Sequence, residues 1–147
     1  MPLHLLSRVM LTVLAGTQGL ASLLIDLNRT HATNPRWPGH ARFHVVWQVF
    51  NHALGAVLAL MLLWWTGAFM SQRFYLATVI TSLPMIAFLV ARTLRRLYGG
   101  TLHDENGIAP LRIYRKGRTI EFDMNGVMVN VAVVLLLLAV VLFHQGL

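Results

Sequence analysis

Four stretches of this chain are so long and so apolar that few folds can hold them: Leu5–Ile25, Val45–Thr66, Phe74–Ala91 and Val127–Phe143. A spanning helix needs about 20 predominantly apolar residues to cross the hydrocarbon core of a bilayer. Each stretch approaches that length, the third and fourth by extending through their flanks at Arg92 and Asn125. Inside hydrocarbon the backbone must satisfy its own hydrogen bonds, so these stretches are expected to be helical. Nothing shows the two-residue alternation of a membrane barrel. The expected fold is therefore all-α: a four-helix transmembrane bundle, one domain over 1–147, with helices near 5–26, 41–66, 73–96 and 124–144.

Composition agrees. The 147 residues are 56% hydrophobic and 12% charged, whereas soluble domains carry about 25% charged residues. The length suits one domain. The absence of cysteine excludes disulfides, thiolate metal sites and a cysteine nucleophile. A net charge of +7 invites a nucleic-acid reading. The distribution argues against it, because the basic residues flank the apolar stretches as membrane orientation requires. No nucleic-acid partner is expected.

The first stretch has only Arg8 before its apolar run and no clean small-residue cleavage pattern after it, so it reads as a retained helix and not a signal peptide. With four spans, the connections at 27–43 and 92–124 share one side. That side carries Arg29, Arg36, Arg42, Arg92, Arg95, Arg96, Arg112, Arg115, Lys116 and Arg118, against Arg8 and Arg73 on the other. The asymmetry predicts an inner (plasma) membrane protein with both long connections cytoplasmic and both termini outside. Trp64 and Trp65 then fall in the outer interfacial belt and Trp37 in the inner one.

The short connection Gly67–Arg73 makes the second and third helices an antiparallel hairpin. Pro84 should kink the third. The last long connection holds two turn signals, Asn106-Gly107 and Lys116-Gly117. Around the second, RIYRKGRTIEF reads as strand, turn, strand, a small cytoplasmic β-hairpin. The competing expectation is an ordered basic loop lying on lipid headgroups.

Polar chemistry concentrates between Asp26 and His52, which hold four of the seven histidines: His31, His40, His44 and His52. Two prolines in Asn34-Pro35-Arg36-Trp37-Pro38-Gly39 restrict the residues before them and should stiffen this connection. On a helix starting near His40, the residues His40, His44, Trp47 and Asn51 share one stripe with Gln48 at its edge. Such groups avoid lipid, so the stripe is expected to face the bundle interior. His52 points well away from it and is expected to pair with another helix. Asp26 closes the first helix, Arg92 shares a face with Thr81, Met85 and Phe88, and Asp123 shares one with Asn130. The expected convergence is His40, His44, Asn51, Asp26, Arg92, Asp123 and Asn130 in the cytoplasmic half.

Several chemistries fit this set. In acid–base chemistry on a sterol-, terpenoid- or acyl-like molecule, His40 or His44 is the acid or base and Asp26 orients the imidazole. Arg92, Asn51, Trp47, Gln48, Asn130 and Asp123 then contact the small lipophilic ligand. In metal binding, His40 and His44 present two imidazoles on one face and His31, Asp26 or Asp123 completes the set. The cofactor stays open, a divalent metal ion being the candidate. A third reading is a non-catalytic structural subunit. A b-type heme would need core histidines on facing helices, and only His52 lies well inside a span. Expected partners are membrane lipids and the lipophilic ligand, with a homodimer as a further option.

The motif NPRWPGHARFHVVW, Asn34–Trp47, preceded by Asp26-Leu27-Asn28-Arg29-Thr30-His31, resembles the signature of a small family of four-helix membrane proteins without assigned activity. More loosely, the layout is similar to the emopamil-binding and sigma-2-receptor group, the EXPERA families. These have four or five helices and bind or isomerise sterols in a pocket of carboxylates and aromatics. The resemblance covers helix count, a polar loop after the first helix and aromatic-rich spans. It implies a ligand role for Asp26. The pattern departs where that group keeps acids within its helices, since here histidine dominates.

Overall fold

The computed structural model describes residues 1–103, 105 and 107–147. The first turn signal, at Asn106, lies outside the described residues. Four helices, α1 (Leu3–Asp26), α2 (Gly39–Trp64), α3 (Met70–Leu94) and α4 (Met124–Gln145), are long and apolar enough to cross a membrane. A single 3₁₀ turn, Arg95–Tyr98, prolongs α3, and an antiparallel pair, β1 (Leu111–Arg115) and β2 (Arg118–Phe122), precedes α4. In chain order the helices pack as an antiparallel ring, α1 against α2 and α4, and α3 against α2 and α4.

Small residues govern the closest approach. The buried line of α1 is Ser7, Leu11, Ala15, Gly19 and Ser22, one residue per turn. A Cβ on Gly19 would sit 2.6 Å from the Ala56 Cβ, so α1 and α2 meet almost backbone to backbone there. Close contact through small residues is how helices associate without a hydrophobic driving force between them. The core itself gathers toward the chain-terminal end: Leu11, Ala15, Ala59, Leu63, Phe74, Ala77, Leu136 and Phe143. There Phe74 and Phe143 stack with ring centroids 3.7 Å apart. The outward faces are apolar, with Val13, Leu54, Val57, Leu76, Val79, Val134 and Val141 all exposed.

Buried polar groups at that end are satisfied within the helices or across them. Ser7, Thr78 and Thr81 each donate to the carbonyl four residues back. Arg8 donates to the Leu63 carbonyl, at the open C-terminal end of α2, and lies 4.6 Å from the Trp64 ring. Trp64 in turn donates to Thr12. The tight α2–α3 turn uses positive φ at Gly67 and Phe69, and Arg73 ties it by donating to the carbonyls of Trp65, Gly67 and Ala68. Helix α3 runs unbroken through Pro84, although the Ile80 carbonyl loses its usual donor there.

The connection after α1 is ordered, but asparagines do most of the ordering. The Asn28 amide donates to the Ile25 carbonyl while its oxygen accepts from the Thr30 backbone. Asn34, 2% exposed, donates to the Thr30 carbonyl and accepts from the Arg36 backbone. Such side-chain amides imitate backbone turns. The prolines restrict the backbone, and the amides close the hydrogen bonds that restriction leaves open.

Candidate functional site

The bundle is well packed at one end and parted at the other. In the half nearer the long connections, α2 and α3 separate around a cleft of about 690 Å³. Helix α2 contributes His44, Trp47, Gln48, Asn51 and His52, α3 contributes Pro84, Met85, Ala87, Phe88 and Ala91, and Gln18 and Val129 close it from α1 and α4. A smaller hollow of about 310 Å³ continues it deeper into the bundle, sharing Gln18, Asn51, His52, Pro84 and Ala87 and reaching Thr81 and Ile80. The walls are mostly apolar, with amides and imidazoles on one side.

The reason for this polarity lies in how α2 is rotated. Ala53 and Ala56 turn toward Gly19 of α1. At 100° per residue, His52 then lies roughly 70° around the helix and His44 roughly 150°. So His52, half-buried, points between α1 and α3. The His40–Asn51 stripe does not face the interior as expected. His40, His44, Trp47, Gln48 and Asn51 are all exposed, and all but His40 line the cleft. His40 lies just outside it, its Nε2 3.0 Å from the Nε2 of His44. Among the described residues no side-chain hydrogen bond engages Gln18, Gln48 or Asn51, so their polar groups are free to meet a guest.

Asp26 does not join His40 and His44. Its carboxylate lies 3.9 Å from His31 Nδ1. His31 is held by Thr30, 2.7 Å from its Nδ1, and stands edge-on to Trp37. Asp26 and His31 line a separate hollow of about 390 Å³ with Asn28, Ile108 and Asn125, at the level of the long connections. His52 lines the cleft and its deeper hollow, and it is not among the residues of this third one.

The remaining expected members lie elsewhere. Asp123 caps α4, accepting from the Gly126 backbone at 2.7 Å, while its second oxygen faces His103 at 3.8 Å. The Arg92 guanidinium packs over Gly126 beside that carboxylate, bridging α3 to α4 and not lining the cleft. Asn130 is exposed on α4 and is not among the residues lining the cleft. The seven-residue spacing to Asp123 was real but carried no shared partner, because an N-cap residue precedes the helix and turns its side chain back on the first turn. As metal ligands, His40 and His44 supply two donors. His31 is engaged with Asp26, and among the described residues no three His, Asp or Glu side chains gather as a metal set.

Sequence reasoning does not assign two residues of the cleft to the site, although it turns His52 toward another helix. Gln18 had a signal, a lone amide in the middle of an otherwise apolar span. His52 had the opposite problem, since its register placed it off the polar stripe. Comparisons with family models, curated proteins and solved structures find no match for this chain.

Proposed function

We propose that the protein is an integral membrane protein that binds a small lipophilic molecule, sterol-, terpenoid- or acyl-like, in the cleft between α2 and α3. The long connections are cytoplasmic and both termini outside, in the inner membrane, as the distribution of basic residues favours. The observation that carries the reading is the cleft's combination of size and chemistry. Ligand sites of about 300–1,000 Å³ with apolar walls and a few convergent polar groups are the common pattern, and about 690 Å³ with Gln18, Asn51 and His52 at one wall falls within it. The cleft opens between helices whose outer faces are apolar, so a guest reaches it sideways from hydrocarbon. Its polar end meets the amides of Gln18 and Asn51.

The chemistry available to such a guest is proton transfer. His52 lines the cleft and its deeper hollow, and Asp26 and His31, 3.9 Å apart, line the hollow at the long connections. Chains of Asp and His inside membrane proteins commonly carry protons. In this arrangement His52 takes the acid–base role, and His44 contacts the guest at the rim. The likeness to sterol-handling EXPERA proteins points in the same direction.

The test is photolabelling of the purified protein with diazirine probes built on a sterol, a polyprenol and a fatty acid. At least one probe should label peptides covering 44–52 or 84–91, with competition by its unlabelled parent. Gln18→Leu combined with Asn51→Leu removes two hydrogen bonds, each worth about 1 kcal/mol, and should weaken competition roughly 30-fold. Labelling no stronger in these peptides than at the lipid-facing 131–141 segment would end the proposal.

A further inference from the structure

The β1–β2 hairpin has two unlike faces, and neither is covered. The register pairs Leu111 with Phe122, Ile113 with Ile120 and Arg115 with Arg118, so these six share one face. The other face carries Arg112 with Glu121, joined at 2.8 Å, and Tyr114 with Thr119. All ten residues are exposed, including the four large apolar ones. The turn is a two-residue one with positive φ at both Lys116 and Gly117, the geometry that matches strand twist. An isolated two-stranded hairpin is at best marginally stable in water. Four apolar side chains on one face therefore call for a surface to rest on.

We infer that this hairpin lies flat on the membrane from which α4 emerges and holds anionic lipid headgroups at its tip. The inference rests on the membrane reading above. Charge selects the occupant: beyond the apolar face the tip presents Arg115, Lys116 and Arg118, which have no acidic partner among the described residues, while Arg112 is already neutralised by Glu121. A second copy would bring the same three cations against these. An anionic bilayer complements both halves, taking the apolar face at the headgroup–acyl boundary and the cations at the phosphates. Position allows it, because β2 ends at Phe122 and α4 begins at Met124. A five-residue strand spans about 17 Å, so the whole hairpin stays close to the mouth of the span. The 3₁₀ turn adds exposed Leu97 and Tyr98 beside Arg95 and Arg96 on the same end. Hairpin and headgroup-bound basic segment, alternatives on sequence grounds, are then one object.

Because the chain has no cysteine, single labels are clean. Ile113→Cys, Tyr114→Cys and Val79→Cys each carry a polarity-sensitive fluorophore in nanodiscs loaded with one protein copy. In discs containing phosphatidylglycerol, the label at 113 should blue-shift and the label at 114 should stay aqueous. In purely zwitterionic discs the shift at 113 should shrink. Reversing the tip with Arg115→Glu, Lys116→Glu and Arg118→Glu should have a larger effect. Neutralising each cation alone lowers docking roughly five-fold, on the order of a hundred-fold for three, and high salt should act in the same direction. A label at 79, on the outer face of α3, reports hydrocarbon in every disc if the membrane reading holds. Hydrocarbon at 79 with water at 113 overturns the hairpin inference alone, and water at 79 overturns the membrane reading beneath it. A shift at 113 that ignores lipid charge removes the anionic headgroups from the contact, and one that appears only with two copies per disc assigns the face to a protein; either overturns the inference.

Discussion

Gly19 offers the sharpest test of how this bundle holds together. A methyl group there would lie 2.6 Å from the Ala56 Cβ, against 3.5 Å to the Ala53 Cα and 3.6 Å to the His52 carbonyl. Carbon atoms in good contact sit about 3.5–4.0 Å apart, so Gly19→Ala must part α1 and α2 by about 1 Å at this point. Overpacking of this kind costs typically about 1–3 kcal/mol. Alanine also favours the helix over glycine by roughly 1 kcal/mol, and that gain would mask part of the loss. Gly16 supplies the correction: it lies in the same helix and a Cβ there meets nothing within 4 Å. Gly16→Ala should stabilise by up to about 1 kcal/mol, and Gly19→Ala should be less stable than Gly16→Ala by about 1–3 kcal/mol. Equilibrium unfolding in mixed micelles, titrated with dodecyl sulfate and followed by far-UV circular dichroism, measures both. A double-mutant cycle with Ala56→Gly should show favourable coupling of similar size, since the nearest remaining contacts are ordinary ones. Equal stabilities for the two alanine variants, to within about 0.5 kcal/mol, would refute the close approach and with it the rotation of α2 that builds the cleft.

Other perturbations address separate parts of the molecule. Phe143→Ala removes the fully buried partner of Phe74 and should cost about 3–5 kcal/mol, read in the same unfolding assay. Asp123→Ala removes the α4 cap and should cost about 1 kcal/mol, whereas Asp123→Asn should be nearly neutral because asparagine caps as well. Arg8→Ala leaves the Leu63 carbonyl without its charged donor and should cost about 1.5–3 kcal/mol; Arg8→Lys, which cannot form the same fork, should recover only part. Photolabelling of the cleft by whichever lipophilic probe binds should survive His40→Ala, which lies outside the cleft, and weaken with His52→Ala, measured as label in the 44–52 and 84–91 peptides.

What the chain determines locally can be read from it directly. The four helices follow from runs of apolar residues long enough to cross hydrocarbon, and their ends fall within a few residues of expectation, α2 at Gly39–Trp64 and α4 at Met124–Gln145. The hairpin follows from Lys116-Gly117 between alternating residues. These signals act over a few residues, and no distant contact overrides them. The site depended on something else. Helical periodicity tells which residues share a face but not where that face points, and in a chain whose exterior is itself apolar, burial of apolar groups does not orient it. Orientation came from the near-contact of Gly19 with Ala53 and Ala56, which turns the His44–Asn51 stripe to the lip of the cleft and swings His52 inward to the deeper hollow. Only packing between α1 and α2 could decide that, because it sets two backbones a methyl group's width apart.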